Sequence, residues 1–215
     1  MRNIAITGAS QRLGLYLAKS FLERGDKVFA ITRNASPDLQ GLKQPNLVLI
    51  EISEYSGEAG VLAANKVLAK GEKVDLLVNN ASAFCKDAEP SNDLTSMNIF
   101  YQTHMAFPYT LTNMLGETLE KAKHSGVVIN ITDIYATMPN EKFMFYCSTK
   151  AGLANLTVSL AKRFSNTLRV NAIAPGPIKF LPEHTSKDKD IVLMQSLIKR
   201  EGGVFANSKN NRLYR

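Results

Sequence analysis

Six short runs rich in Ile and Val, at 4–7, 28–31, 47–50, 75–78, 127–131 and 169–173, recur along the chain with helical stretches between them. Strands buried on both faces have this look, continuous apolar runs in place of alternation. Between the runs, Leu13, Leu17 and Phe21, and then Val61, Ala64 and Leu68, are spaced to share one helical face. Strand and helix taking turns predict an α/β fold of three layers, a doubly wound parallel sheet of six strands covered on both sides. A chain of 215 residues suits one domain over its full length. Pro175-Gly176-Pro177 closes the regular pattern. Beyond it a polar stretch, 179–200, holds one helical segment near 191–198, and a basic tail, 201–215, shows no clear strand.

Composition narrows the function classes. With 45% hydrophobic and 21% charged residues, the chain is not disordered, collagen-like or coiled-coil. The formal charge of +7 invites a nucleic-acid reading, but residues 187–215 carry seven basic and three acidic side chains, hence +4 of that total. The remainder is near balance without a basic stripe, so no nucleic-acid partner is expected. Two cysteines, Cys85 and Cys147, make neither a disulfide framework nor a four-ligand zinc site and suggest a reducing compartment. No run approaches the roughly 18 apolar residues of a membrane span, and Met1-Arg2-Asn3 leads into no secretory cleavage pattern. A cytoplasmic enzyme or binding domain is the expectation.

Thr7-Gly8-Ala9-Ser10-Gln11-Arg12-Leu13-Gly14 lies between the first strand and the first helix, where backbone amides at a helix N-terminus can hold a pyrophosphate. Gly8 allows a tight turn and Gly14 a close helix-to-sheet approach. Arg12 stands where many dinucleotide loops have glycine; it is either a cation beside the phosphates or a solvated side chain. After the second strand comes Thr32-Arg33-Asn34, with no acidic residue to accept the ribose hydroxyls of NAD. Arg33 is suited to a 2′-phosphate, so NADP(H) is the expected cofactor.

Tyr146-Cys147-Ser148-Thr149-Lys150 sets Tyr146 and Lys150 at i and i+4 on one side of an apolar helix. Bringing a phenol from its usual pKa of about 10 to near neutrality takes about 4 kcal/mol, which a neighbouring ammonium and cofactor charge can supply. Such a pair alone is common. Here it follows the dinucleotide turn, Asn79-Asn80-Ala81-Ser82 after the fourth strand and Asn130-Ile131-Thr132-Asp133 after the fifth, and it precedes Pro175-Gly176-Pro177-Ile178 after the sixth.

Taken together, these motifs resemble the short-chain dehydrogenase/reductases, in the expected order from Thr7 to about Ile178, and imply a Rossmann fold. Within that superfamily the chain is similar to pteridine reductases and bacterial dihydromonapterin reductases. Arg12 replaces the middle glycine, Ser82 follows Asn-Asn-Ala, and Asp133 replaces the usual catalytic Ser. The resemblance implies catalytic roles for Asp133, Tyr146 and Lys150. It implies cofactor contacts from the turn (Gly8, Ser10, Gln11, Arg12, Leu13, Gly14), from Arg33, and from Asn79, Ala81 and Ser82. Tyr146, Lys150, Pro175, Gly176 and Ile178 complete that set. Arg12, Ser82, Phe84, Asp133, Tyr146 and Pro177 are the implied substrate contacts, with Phe84 stacking a pterin ring. On its own Phe84 reads as core packing and Asp133 as a strand-end cap. His104 falls where many family members have Asn, and a helix-face His is more often packed than catalytic.

Asp133 discriminates between reactions. An ionised carboxylate opposes the oxyanion that develops in ketone reduction and favours the cationic, protonated C=N of an imine. NADPH-dependent reduction of a dihydropterin (dihydromonapterin, a dihydrobiopterin-like pterin or dihydrofolate) is therefore the leading expectation. A carbonyl or oxoacyl-thioester reductase, and an inactive NADP(H)-binding regulatory relative, are the alternatives. The family ordinarily continues into a seventh strand that this sequence lacks a pattern for. The resemblance also implies a homodimer through the helices around 95–121 and 145–163, whose faces carry Leu111, Leu115, Leu156 and Leu160. A tetramer is less expected.

Overall fold

A computed structural model describes residues 1–71, 73–85, 94–122, 126–176 and 186. The chain divides into two compact units, Met1–Ile173 and Ala174–Arg215. Of the second, only 174–176 and Ser186 are described, so Pro177, Ile178, most of 179–200 and the tail 201–215 lie outside the described residues, as does any seventh strand.

Each apolar run forms a strand: β1 (Asn3–Thr7), β2 (Lys27–Thr32), β3 (Leu47–Glu51), β4 (Leu76–Asn79), β5 (Gly126–Ile131) and β6 (Leu168–Ile173). They make one sheet in the order β3-β2-β1-β4-β5-β6, and every pairing is parallel. After β3 the chain crosses back to set β4 beside β1, which opens a crevice at the carboxyl ends of these two strands. The helices are α1 (Arg12–Glu23), α2 (Pro37–Gln40), α3 (Gly57–Leu68), α4 (Leu94–Tyr101), α5 (Phe107–Glu120) and α6 (Met144–Arg163). A π-helical turn, Gln102–Ala106, joins α4 to α5.

The period of two along a strand sends alternate side chains to two cores. Ala5, Phe29, Ile31, Leu77, Val128 and Val170 pack against α3, α5 and α6. Ile4, Ile6, Val28, Ala30 and Val78 pack against Ala18 and Leu22 of α1 and Leu39 of α2. Two expectations need correction here. The buried stripe of α1 is Gly14, Ala18 and Leu22, with Leu13, Leu17 and Phe21 only half-buried beside it. In α3 it is Ala59, Gly60, Ala63, Ala64 and Val67, while Val61 is exposed. The small residues lie innermost because they let each helix sit close to its neighbours; at Gly60 an added Cβ would lie 2.1 Å from Thr110 Oγ1.

Leu111 and Leu115 are fully buried and Leu160 nearly so. They belong with Leu156 to the interior of this chain, so they do not form the apolar dimer face that the sequence suggested. Nor is β6 buried on both faces: Arg169, Asn171 and Ile173 are exposed while Leu168 and Val170 are covered.

Candidate active site

Gly8 ends β1 in the left-handed region, at φ +66, and its amide donates to Ile31 O at 2.9 Å. A Cβ at Gly14 would stand 2.1 Å from Gly8 O, so the first turn of α1 lies directly on the loop. Arg12 is also left-handed, with φ 50, which costs an L-residue about 1 kcal/mol or more. Glycine would avoid that cost, so its use here buys a guanidinium at the loop. Gln11 and Arg12 are exposed and Ser10 is half-buried. No side chain caps α1, and its first turn carries no acid. This end of the helix therefore suits an anionic group.

Two sutures hold the loop. Asn80, which motif reading had not assigned to the site, donates through Nδ2 to Thr7 O at 3.0 Å and Gly8 O at 3.2 Å. Thr7 Oγ1 in turn accepts from the amides of Asn80 and Ala81, both at 2.9 Å. On the other side the Ser10 hydroxyl donates to Asn34 O, lies 2.7 Å from Thr32 Oγ1, and accepts from the Ser36 amide. This ties Arg33 to the turn. The Arg33 guanidinium lies over the Tyr55 ring, 5.3 Å from its centroid, and remains exposed. Asn79 is turned inward: its Nδ2 donates to Asn130 Oδ1 at 2.8 Å and to Thr112 Oγ1 at 3.2 Å.

Asp133 follows β5 and serves two partners. Oδ1 accepts from the Tyr135 amide at 2.9 Å, capping the short turn Ile134–Ala136, and Oδ2 accepts from the Tyr146 hydroxyl at 2.7 Å. The strand-end cap and the active-site partner are thus one side chain. Tyr146 is only 5% exposed. Burial, and then the charge of Asp133 and the hydrogen bond to it, hold its acidity well below that of an ordinary phenol; a Ser82 hydrogen bond works weakly the other way. The acidification anticipated from Lys150 is thus not what the chain itself supplies. Lys150 is buried too; its Nζ donates to Ile131 O at 2.9 Å and lies 5.7 Å from the Tyr146 ring centroid. Burial lowers its pKa to about 8, against a raising influence from Asp133.

Aromatic rings wall this corner. Phe84 is 46% exposed, so it is not core. It stacks on Phe143 at 4.8 Å between centroids and meets Tyr146 edge-on at 4.9 Å. Sequence reading gave His104 no role; here it is fully enclosed, with Nε2 3.0 Å from Ser82 Oγ and Nδ1 2.8 Å from Thr149 Oγ1. Nothing in the linear spacing joined Thr149 or Phe143 to the site, because the first contact arises from how α6 is docked and the second from the short turn just before it. Pro175 and Gly176 belong to the second unit.

The parallel sheet, the glycine turn at the β1–β4 crevice and the buried Tyr146–Lys150 pair beside Asp133 define a nucleotide-dependent oxidoreductase architecture. The chain belongs to the short chain dehydrogenase family, whose model matches residues 2–190. The family implies a nicotinamide cofactor. Among relatives, a dihydromonapterin reductase of Enterobacter sp. (strain 638) is 33% identical over 201 residues, which are 92% of this chain and 83% of the relative. That of Citrobacter koseri is 32% identical, over 93% of this chain and 84% of the relative. A crystal structure of a short-chain dehydrogenase from Streptomyces avermitilis superposes with a TM-score of 0.75 at 27% identity. The match covers 83% of this chain and 66% of that one.

Proposed function

We propose that the chain is an NADPH-dependent reductase of a dihydropterin, such as dihydromonapterin, a dihydrobiopterin-like pterin or dihydrofolate, yielding the tetrahydro form. The observation that carries the proposal is the 2.7 Å bond from the Tyr146 hydroxyl to Asp133. In carbonyl reduction the tyrosine proton must go to a developing oxyanion. Here that proton is already directed to a carboxylate, and a second anion next to it is disfavoured. A C=N bond reverses the sign, since a protonated nitrogen is drawn to Asp133. The names of the relatives point the same way.

The residues present fit the cofactor. Arg12 and the first amides of α1 would hold the pyrophosphate, and Arg33 the 2′-phosphate that distinguishes NADPH from NADH. Lys150 would meet the ribose. Bound there, the reduced nicotinamide supplies the hydride that turns the C=N carbon into C–H. The chain's own part is to orient and to polarise. Phe84 offers a face to a flat ring, Asp133 favours protonation at the ring nitrogen by a proton drawn from water, and Tyr146 fixes the carboxylate. Pro177 and Ile178 remain part of this proposal as contacts to substrate and cofactor. So do a single reductase domain over 1–215, the cytoplasm as compartment for two free thiols, and a homodimer. The assembly would use α4 to α6, where Met97, Ile99, Tyr101, Tyr109 and Val158 are exposed. Among the described residues no helix is long and apolar enough to cross a membrane.

NADPH oxidation with dihydromonapterin, dihydrobiopterin, dihydrofolate and an acetoacetyl thioester tests the assignment. Turnover of at least one pterin faster than the thioester is expected. The reverse order overturns it.

A further inference from the structure

Tyr55 lies between β3 and α3, outside every motif of the sequence, yet it meets the cofactor loop from beneath. Its ring is buried, meets Phe107 of α5 edge-on at 5.1 Å between centroids, and belongs to the core that α3 and α5 share with the sheet. The next two residues fasten it. Ser56 caps α3 by accepting from the Ala59 amide at 3.2 Å. Gly57 donates its amide to Gln102 Oε1 at 3.1 Å and accepts from the Thr110 hydroxyl at 2.9 Å. A ring held between a helix cap and α5 has one place to be, and the Arg33 guanidinium lies over it, 5.3 Å from the centroid.

Arg33 is exposed, and among the described residues no carboxylate is ion-paired with it. Ser10 holds the backbone on either side of Arg33, through Thr32 Oγ1 and Asn34 O; Tyr55 holds the side chain. The attraction is that of a cation for the electron-rich face of an aromatic ring. Burial keeps the Tyr55 phenol protonated against the opposing influence of the Arg33 charge, so this is not an ion pair with a phenolate. Such a contact engages the charge and leaves the guanidinium N–H groups to donate elsewhere. A phosphate is bound through those groups in their planar fork. An exposed arginine without a floor would have to be ordered by the phosphate itself, at a cost in binding.

We propose that Tyr55 is a positioning residue for cofactor choice: its ring holds the Arg33 guanidinium ready for a phosphate on the adenosine ribose and so strengthens the preference for NADPH over NADH. This role rests on the reading that Arg33 meets the 2′-phosphate, and it names the residue that makes Arg33 effective. NADH lacks that phosphate, so contacts with the rest of the cofactor cancel in the ratio of the two dissociation constants.

Dissociation constants of NADPH and NADH, measured by cofactor fluorescence with the full chain, test the role. Tyr55→Leu removes the ring face and should reduce the NADPH preference about five-fold, the scale of one partly exposed cation–π contact. Tyr55→Phe keeps the face and should keep the preference. Lost packing against Phe107 lowers stability but weakens both cofactors alike, so it leaves the ratio in place. In an Arg33→Met background, Tyr55→Leu should leave the ratio where Arg33→Met alone sets it. Phenylalanines with one, two and three ring fluorines at position 55 keep the shape while withdrawing electron density from the face, and the preference should fall with each fluorine. A constant ratio along that series, or additive effects in the double variant, overturns the role of Tyr55; if Arg33→Met alone lowers the preference, the cofactor reading stands. Arg33→Met without effect on the ratio overturns both.

Discussion

Lys150 is the most buried charge near the site, and its replacement by methionine separates what this lysine does for catalysis from what it does to stability. Methionine keeps the apolar stem and removes the ammonium. In the folded chain Lys150 is 2% exposed, and burial brings its pKa from 10.5 to about 8. Because the folded value lies below the unfolded one, the lysine is charged in both states below pH 8, and the native state bears the full desolvation cost. The gap corresponds to about 3 kcal/mol at 1.36 kcal/mol per pKa unit. Loss of the hydrogen bond to Ile131 O offsets about 1 kcal/mol of this, so Lys150→Met should stabilise the chain by about 2 kcal/mol at pH 7. For a protein of this size that is a rise in Tm of about 4–8 °C. Between pH 8 and 10.5 the folded lysine loses its proton before the unfolded one does, so the parent gains stability and the difference shrinks. Thermal and urea unfolding without cofactor, at pH 7 and pH 10, measure both effects. A variant no more stable than the parent at pH 7, with the same difference at pH 10, would refute the reasoning. Pterin reduction should be lost in either case, a trade between stability and function.

Two further substitutions test the cofactor loop. Arg33→Asp should weaken NADPH binding at least ten-fold more than NADH binding, measured by quenching of cofactor fluorescence, because a carboxylate repels the 2′-phosphate and accepts ribose hydroxyls; equal losses would remove Arg33 from cofactor choice. Gly14→Ala sets a Cβ 2.1 Å from Gly8 O, a backbone clash that should cost about 3 kcal/mol in urea unfolding and abolish cofactor binding. An alanine variant as stable as the parent would show that α1 can move off the loop.

The sheet was legible because burial on both faces leaves a continuous apolar run. All six runs became strands, shifted by at most one residue at either end. Faces of helices were less legible. In α1 and α3 the innermost positions are Gly and Ala, which carry little hydrophobic signal although they lie closest to the sheet; the larger Leu13, Leu17 and Val61 drew the reading one position to the side. The same bias made Leu111, Leu115 and Leu160 look like an interface when the core they share with α3 and the sheet had already buried them. An apolar stripe states that a face is buried, and the chain itself was the covering surface.

For the site, motif order was legible and polarity was not. Asn79-Asn80-Ala81-Ser82, Asp133 and Tyr146 could be assigned to strand ends and a helix from the sequence. Whether Tyr146 is a strong or a weak acid depends on a contact spanning thirteen positions, Tyr146 to Asp133, with Lys150 pointed at a backbone carbonyl. The surroundings of Ser82 depend on an imidazole 22 residues away and on a threonine 45 residues beyond that. Each of these bonds is set by docking of α6 against β5 and against the π-helical turn. The Asp at 133 is therefore not a local matter: one carboxylate takes the Tyr146 hydrogen and caps the turn Ile134–Ala136 at the same time, so the polarity of Tyr146 is set by a residue that the helix carrying it does not contain.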